Sequence, residues 1–178
     1  MSPLAAWILS LMLSLQPSAP WSNTFASTAA AIERAAILEP IFMTPERTAA
    51  ILVSLAWYES RFKQDAVDPT RSSFCLLQLD GTNIRGLGMT REEVLSNPDA
   101  CLKAGMSVLR TSSWICRDHP FLDRLAYYSS RGPTCSIGGA LRSQLRVGTG
   151  LELLRRLPPP PSAEPALPSM PDACEEAF

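Results

Sequence analysis

Three consecutive residues, Thr44-Pro45-Glu46, dictate a helix start. Threonine can cap the first turn, and proline suits the first helical position because its missing N–H would be unsatisfied there anyway. Glu46 complements the positive end of the helix dipole. The run ERTAAILVSLAWYESRF then carries the helix to about Phe62. Further helices are predicted over Ala29–Leu38, from the Thr90-x-x-Glu93 capping box, from Asn97-Pro98-Asp99 to near Trp114, and from Pro120, whose Phe121, Leu125 and Tyr128 share a face. Gly138-Gly139 is expected to break the pattern, with Ala140 to Arg156 a weaker last helix interrupted by Gly148 and Gly150. Val67 to Leu79 reads as loop, with Asp68-Pro69 a turn signal. No internal repeat and no long alternating strand pattern competes, so the class is mainly α.

The two ends differ from this middle. Leu4 to Leu15 is an apolar stretch of signal-peptide length, too short to span a bilayer, and Thr24-Phe25-Ala26 offers a cleavage point after Ala26. An export signal over 1–26 is the expectation, although no Lys or Arg precedes it; the alternative is an N-terminal helix packed on the domain. After Leu157 the dense prolines of 158–178 forbid helix and favour an extended, solvated tail. The predicted globular domain is thus 27–157. Lys plus Arg total 16 and Asp plus Glu 17, a net charge of −1, which gives no footprint for nucleic acid or an anionic membrane. His119 is the single histidine, which argues against a Ser-His-Asp triad and a multi-histidine metal site. Five widely spaced cysteines, Cys75, Cys101, Cys116, Cys135 and Cys174, fit structural disulfides in an oxidising compartment better than a Cys-x-x-Cys site; five free buried thiols are the alternative.

Glu59 carries the chemical interest. It lies four residues after Leu55, seven after Leu52 and eight after Ile51, on the apolar stripe of its own helix. Neither desolvation nor the negative helix end favours its ionised form, so its pKa should rise, as a general acid in glycoside cleavage requires. A structural ion pair with Arg61, Lys63 or a distant arginine is the competing reading.

The surrounding run SLAWYESRFKQDAVDPTRSSFCLLQL resembles the catalytic segment of soluble lytic transglycosylases and related lysozyme-like muramidases. Glu59-Ser60-Arg61-Phe62 resembles the family's Glu-Ser-x-Phe. Asp65-Ala66-Val67 resembles its following loop, and Ser73-Phe74-Cys75-Leu76-Leu77-Gln78 its Gly-Leu-Met-Gln-like stretch, with Cys75 where glycine is usual. Asn97-Pro98, Gly105 and Leu109 are similar to its next helix. Leu125-Ala126-Tyr127-Tyr128-Ser129-Ser130 is similar to an Ala-x-Tyr-Asn-Ala-Gly element, with Ser129 in place of Asn. The likeness spans about Ala29 to Arg146.

The resemblance implies a lysozyme-like helical domain with an active-site groove, acting outside the cytoplasm on peptidoglycan glycan strands as a monomer, without metal or organic cofactor. It implies that Glu59 is the catalytic acid/base, that Gln78, Ser73 and Tyr127 line the sugar groove, and that Tyr128 approaches Glu59. Tyr128 as a core residue and Gln78 as a loop cap are the plainer readings. A water-activating Asp65, Asp68 or Asp80 would make the enzyme inverting instead. A weak peptidoglycan-binding module and a disulfide-stapled secreted interaction protein are the other two classes. Of the three pairings open to four cysteines, Cys75–Cys101 with Cys116–Cys135 is expected, because the second bridge would tie both ends of the Pro120 helix to the domain. Cys174 would stay free.

Overall fold

The computed structural model describes residues 1–17, 23–70, 72–130 and 134–160. They are mainly helical: α1 (Pro3–Leu15), α2 (Asn23–Leu38), α3 (Pro45–Ser60), α4 (Gly81–Gly86), α5 (Arg91–Ser96), α6 (Pro98–Ile115), α7 (Ala126–Ser130) and α8 (Ile137–Arg156). A small antiparallel pair, β1 (Ser73–Phe74) with β2 (Leu79–Asp80), sits between α3 and α4. The chain beyond 160, with Cys174, lies outside the described residues.

The start signals act as their chemistry requires. Thr44 Oγ1 accepts from Arg47 N at 3.2 Å, and both halves of the Thr90–Glu93 capping box form. Asn97 caps α6 through Asp99 N. Helix α3 is buried all round from Thr48 to Ala56, which makes it the central helix. It packs most extensively on α8, with α2 and α1 on its other sides. It ends at Arg61 and Phe62, both left-handed with φ of 54° and 61°. That conformation costs about 1–2 kcal/mol per residue. Contacts offset the cost: the Arg61 guanidinium lies over the Trp57 ring, and the Phe62 ring packs on Trp57 and Phe25.

Three expectations are corrected. The helix from Pro120 is not continuous: a 3₁₀ turn at Phe121–Asp123 is followed by the separate α7. Hydroxyls from neighbouring helices take the backbone groups that a continuous helix would have paired. Ser112 Oγ donates to Arg124 O and accepts from Tyr128 N, while Ser143 Oγ donates to Leu122 O and accepts from Leu125 N. Helix α2 starts six residues before Ala29, at Asn23. Helix α8 starts at Ile137 and runs unbroken through Gly148 and Gly150.

Two of α8's glycines permit close approach. A Cβ at Gly139 would stand 2.3 Å from Ala126 O, and one at Gly150 would stand 2.7 Å from Ile51 Cα. Around Gly148 there is open space. Gly148→Ala should therefore stabilise the protein by about 0.5–1 kcal/mol, the helix-propensity gain. Gly150→Ala should destabilise it by about 1–3 kcal/mol, because two helix backbones must part. Urea melts of both variants check this, and equal shifts in the two would refute it.

The N-terminal segment that reads as an export signal forms α1. Ala5, Trp7, Ile8, Leu9, Leu11 and Met12 are buried, and Trp7 Nε1 donates to Leu157 O at 2.7 Å. Ala26, the residue expected to precede a cleavage point, lies inside α2. No described helix is long and apolar enough to cross a membrane.

Two disulfides are present, Cys75–Cys101 and Cys116–Cys135. The first ties the turn between β1 and β2 to α6, and the second ties the end of α6 to the segment before α8. Both point to an oxidising compartment. Each closes a loop for which chain entropy gives about 3 kcal/mol. Non-reducing peptide mapping should recover these two linked pairs, and reduction should lower the melting temperature; four free thiols in the map would refute both bridges.

Candidate functional site

Residues from five helices and the strand pair meet in one open cleft of about 770 Å³. Glu59 enters from the last turn of α3, and Ser73, Gln78, Leu79 and Asp80 from the strands and their turn. Thr82 and Asn83 come from α4, Val108 from α6, Tyr127 to Ser130 from α7, and Arg142 and Arg146 from α8. The five residues singled out from sequence, Glu59, Ser73, Gln78, Tyr127 and Tyr128, all line it.

Glu59 is not alone on its stripe. Arg146 Nη2 stands 2.7 Å from Glu59 Oε1, with side-chain exposures of 13% and 17%. Of the partners considered from sequence, the distant arginine is the one found; Arg61 turns instead to Trp57. The same arginine anchors the wall through its main chain, since Ser54 Oγ of α3 donates to Arg146 O at 2.7 Å. Helix α8 runs antiparallel to α3, with Gly150 against Ile51 and Arg146 against Ser54 and Glu59.

Tyr128 crosses the cleft. Its hydroxyl donates to Leu77 O at 2.7 Å and so braces α7 against the turn that carries Gln78. Burial, and then the nearby Glu59 carboxylate, push the phenol well above its ordinary range, so it keeps its proton and the bond persists at any working pH. Gln78 Nε2 donates to Ala66 O and Cys75 O at 3.2 and 3.1 Å, which ties the turn to the preceding loop. Cys75 has φ of 65°, in the left-handed region that glycine occupies at no steric cost. Its disulfide to Cys101 holds the turn where the residue type alone would not.

Of the three aspartates considered as partners for Glu59, only Asp80 borders the cleft. Its Oδ1 accepts from both Thr82 N and Thr82 Oγ1, capping α4. Asp68 instead organises its own loop. Thr70 Oγ1, then Ser73 N and Ser72 N, donate to its carboxylate and hold it well below the usual carboxylate range. Among the described residues no three His, Cys, Asp or Glu side chains converge on a metal-sized site.

Arg142 and Arg146 are the charged cleft residues to which sequence reading gave no role; Thr82, Asn83 and Val108 were likewise passed over. They stand four apart, and so on one face of α8, within the stretch before Gly148 that the sequence already reads as helical. The wall is rich in hydroxyl and amide groups, at Ser73, Thr82, Ser129, Ser130, Gln78 and Asn83. Two carboxylates, Glu59 and Asp80, and two guanidinium groups, Arg142 and Arg146, complete the lining. No protein-family model matches the chain, and neither a curated protein nor a solved structure shows significant similarity to it.

Proposed function

We propose that this chain is a peptidoglycan-cleaving enzyme of the soluble lytic transglycosylase type, with a divergent lysozyme-like domain, working outside the cytoplasm. One observation carries the reading. The five residues that the resemblance assigns to catalysis and sugar binding are spread from position 59 to 128, yet they line a single open cleft. The two disulfides fit the oxidising side of the membrane where the glycan lies.

In this reading Glu59 Oε donates a proton to the glycosidic oxygen between N-acetylmuramic acid and N-acetylglucosamine, and the C1–O bond breaks. The muramyl 6-hydroxyl then attacks C1 and returns its proton to Glu59, leaving a 1,6-anhydro sugar. No second carboxylate is needed. Arg146 opposes protonation of Glu59, so the acid step requires the ion pair to part once a glycan occupies the cleft. Tyr128 holds the two walls at a fixed separation through Leu77.

The same ion pair favours a second reading, a peptidoglycan-binding module without turnover, in which Glu59 stays locked to Arg146. Mass spectrometry of purified peptidoglycan incubated with the protein decides. Anhydro-muramyl products, lighter by one water than their reducing counterparts, are expected. Reducing ends would mean hydrolysis, and an uncut glycan that still binds would leave the module.

A further inference from the structure

Arg146 and Arg142 occupy successive turns of one face of α8, but their situations differ. Arg146 turns inward and pairs through Nη2 with Glu59, while its buried Nε has no partner among the described residues. Arg142 is exposed at the cleft mouth, and its only hydrogen bond to the described protein is Nε to Ser129 O, at 2.8 Å. That bond fixes the plane of the guanidinium, while both terminal amines have no partner among the described residues. Ser129, whose main chain takes that bond, is only 7% exposed and lines the same cleft, and its buried Oγ has no hydrogen-bond partner among the described residues. A buried hydroxyl left unsatisfied costs about 1–3 kcal/mol. A pinned arginine fork at the cleft matches a carboxylate, which takes two parallel N–H bonds from it. The other charged groups of the cleft are already engaged: Glu59 with Arg146, and Asp80 with Thr82.

We infer that Arg142 is the specificity-determining residue of the cleft: its terminal amines bind the carboxylate of an acid-bearing glycan and so select it over a neutral amino-sugar polymer. This deepens the reading above and rests on it, since the carboxylate concerned is the lactyl acid of a muramyl residue or the acid of its peptide stem. Arg142 makes no contact with the scissile bond in this assignment, and therefore acts on affinity and not on the proton transfer. Glu59 and Tyr128 carry no part of the discrimination.

The test compares three proteins, the full chain and its Arg142→Gln and Arg142→Lys variants. The probes are a tetrasaccharide of alternating N-acetylglucosamine and N-acetylmuramic acid, the same tetrasaccharide with its lactyl acids converted to neutral amides, and a tetramer of N-acetylglucosamine. Calorimetric Kd and steady-state KM and kcat are measured for each. Arg142→Gln should weaken binding of the acid-bearing probe about tenfold, raise its KM to match and leave its kcat within twofold. Affinity for the two neutral probes should change less than twofold. Arg142→Lys should recover part of the loss, since it restores the charge without the fork. Equal losses on acidic and neutral probes overturn the assignment, as does a parent protein that fails to prefer the acid. Arg142-dependent preference for the acid in a protein that cuts nothing keeps the inference and removes the catalytic reading. Cleavage without that preference does the reverse.

Discussion

Glu59→Gln protein is expected to bind cell-wall glycan within about tenfold of the parent and to leave it uncut. Glutamine keeps the size and hydrogen-bonding capacity of the side chain but cannot cycle a proton, so only the acid/base step is removed. The structure adds a stability term of definite sign. Arg146 stands 2.7 Å from the carboxylate in a partly buried setting, and neutralising one partner strands the other. Breaking a fully buried pair costs about 3–5 kcal/mol; with 13% and 17% of these side chains exposed, about 2 kcal/mol is expected. Stability alone therefore does not separate a catalytic from a structural glutamate, and a double-mutant cycle does. In Glu59→Gln/Arg146→Met the stranded cation is gone, so melting temperature should return most of the way while activity stays absent. A single variant that still digests peptidoglycan would remove Glu59 from the chemistry.

Deleting residues 1–22 should have the largest effect on folding. Trp7, Ile8, Leu9, Leu11 and Met12 are each buried in α1. At about 1.5–3 kcal/mol per side chain, their burial is worth on the order of 10 kcal/mol. That is comparable to the whole stability of an ordinary domain, about 5–15 kcal/mol. The deletion also uncovers the apolar faces of α2 and α3 on which α1 lies. Circular dichroism and size exclusion should show a chain that has lost cooperative melting or associates. A truncated protein that melts within a few degrees of the parent would instead mark α1 as dispensable, in keeping with removal of the segment on export.

How far the sequence was readable follows from the range of the interactions involved. Caps are local, so Thr44, Thr90 and Asn97 each marked a helix start correctly. The hydrophobic pattern likewise placed the mainly helical class. The break between the 3₁₀ turn and α7 was not legible, because the hydroxyls responsible, Ser112 and Ser143, belong to other helices. The continuity of α8 was misread for a related reason. Gly139 and Gly150 look like helix breakers until Ala126 and Ile51 are known to lie against them. Arg142 and Arg146 fell within the expected stretch from Ala140, but only the packing of α8 against α3 and α7 shows that their face borders the cleft. Glu59 was legible as a carboxylate on an apolar stripe, but its partner 87 positions further on was not.

The Ser54–Arg146 hydrogen bond and the Ile51–Gly150 contact give that partnership a mechanical side. The carboxylate and its cation ride on two rigid rods clamped together within little more than two turns of the pair, rather than on loops that could adjust independently. A methyl group inserted at the clamp acts as a wedge, and its displacement arrives in the cleft as a change in the spacing of two opposite charges. Substitutions at Ile51, Ser54 or Gly150, none of which need touch a ligand, should thus disturb the Glu59–Arg146 geometry well before the domain comes apart.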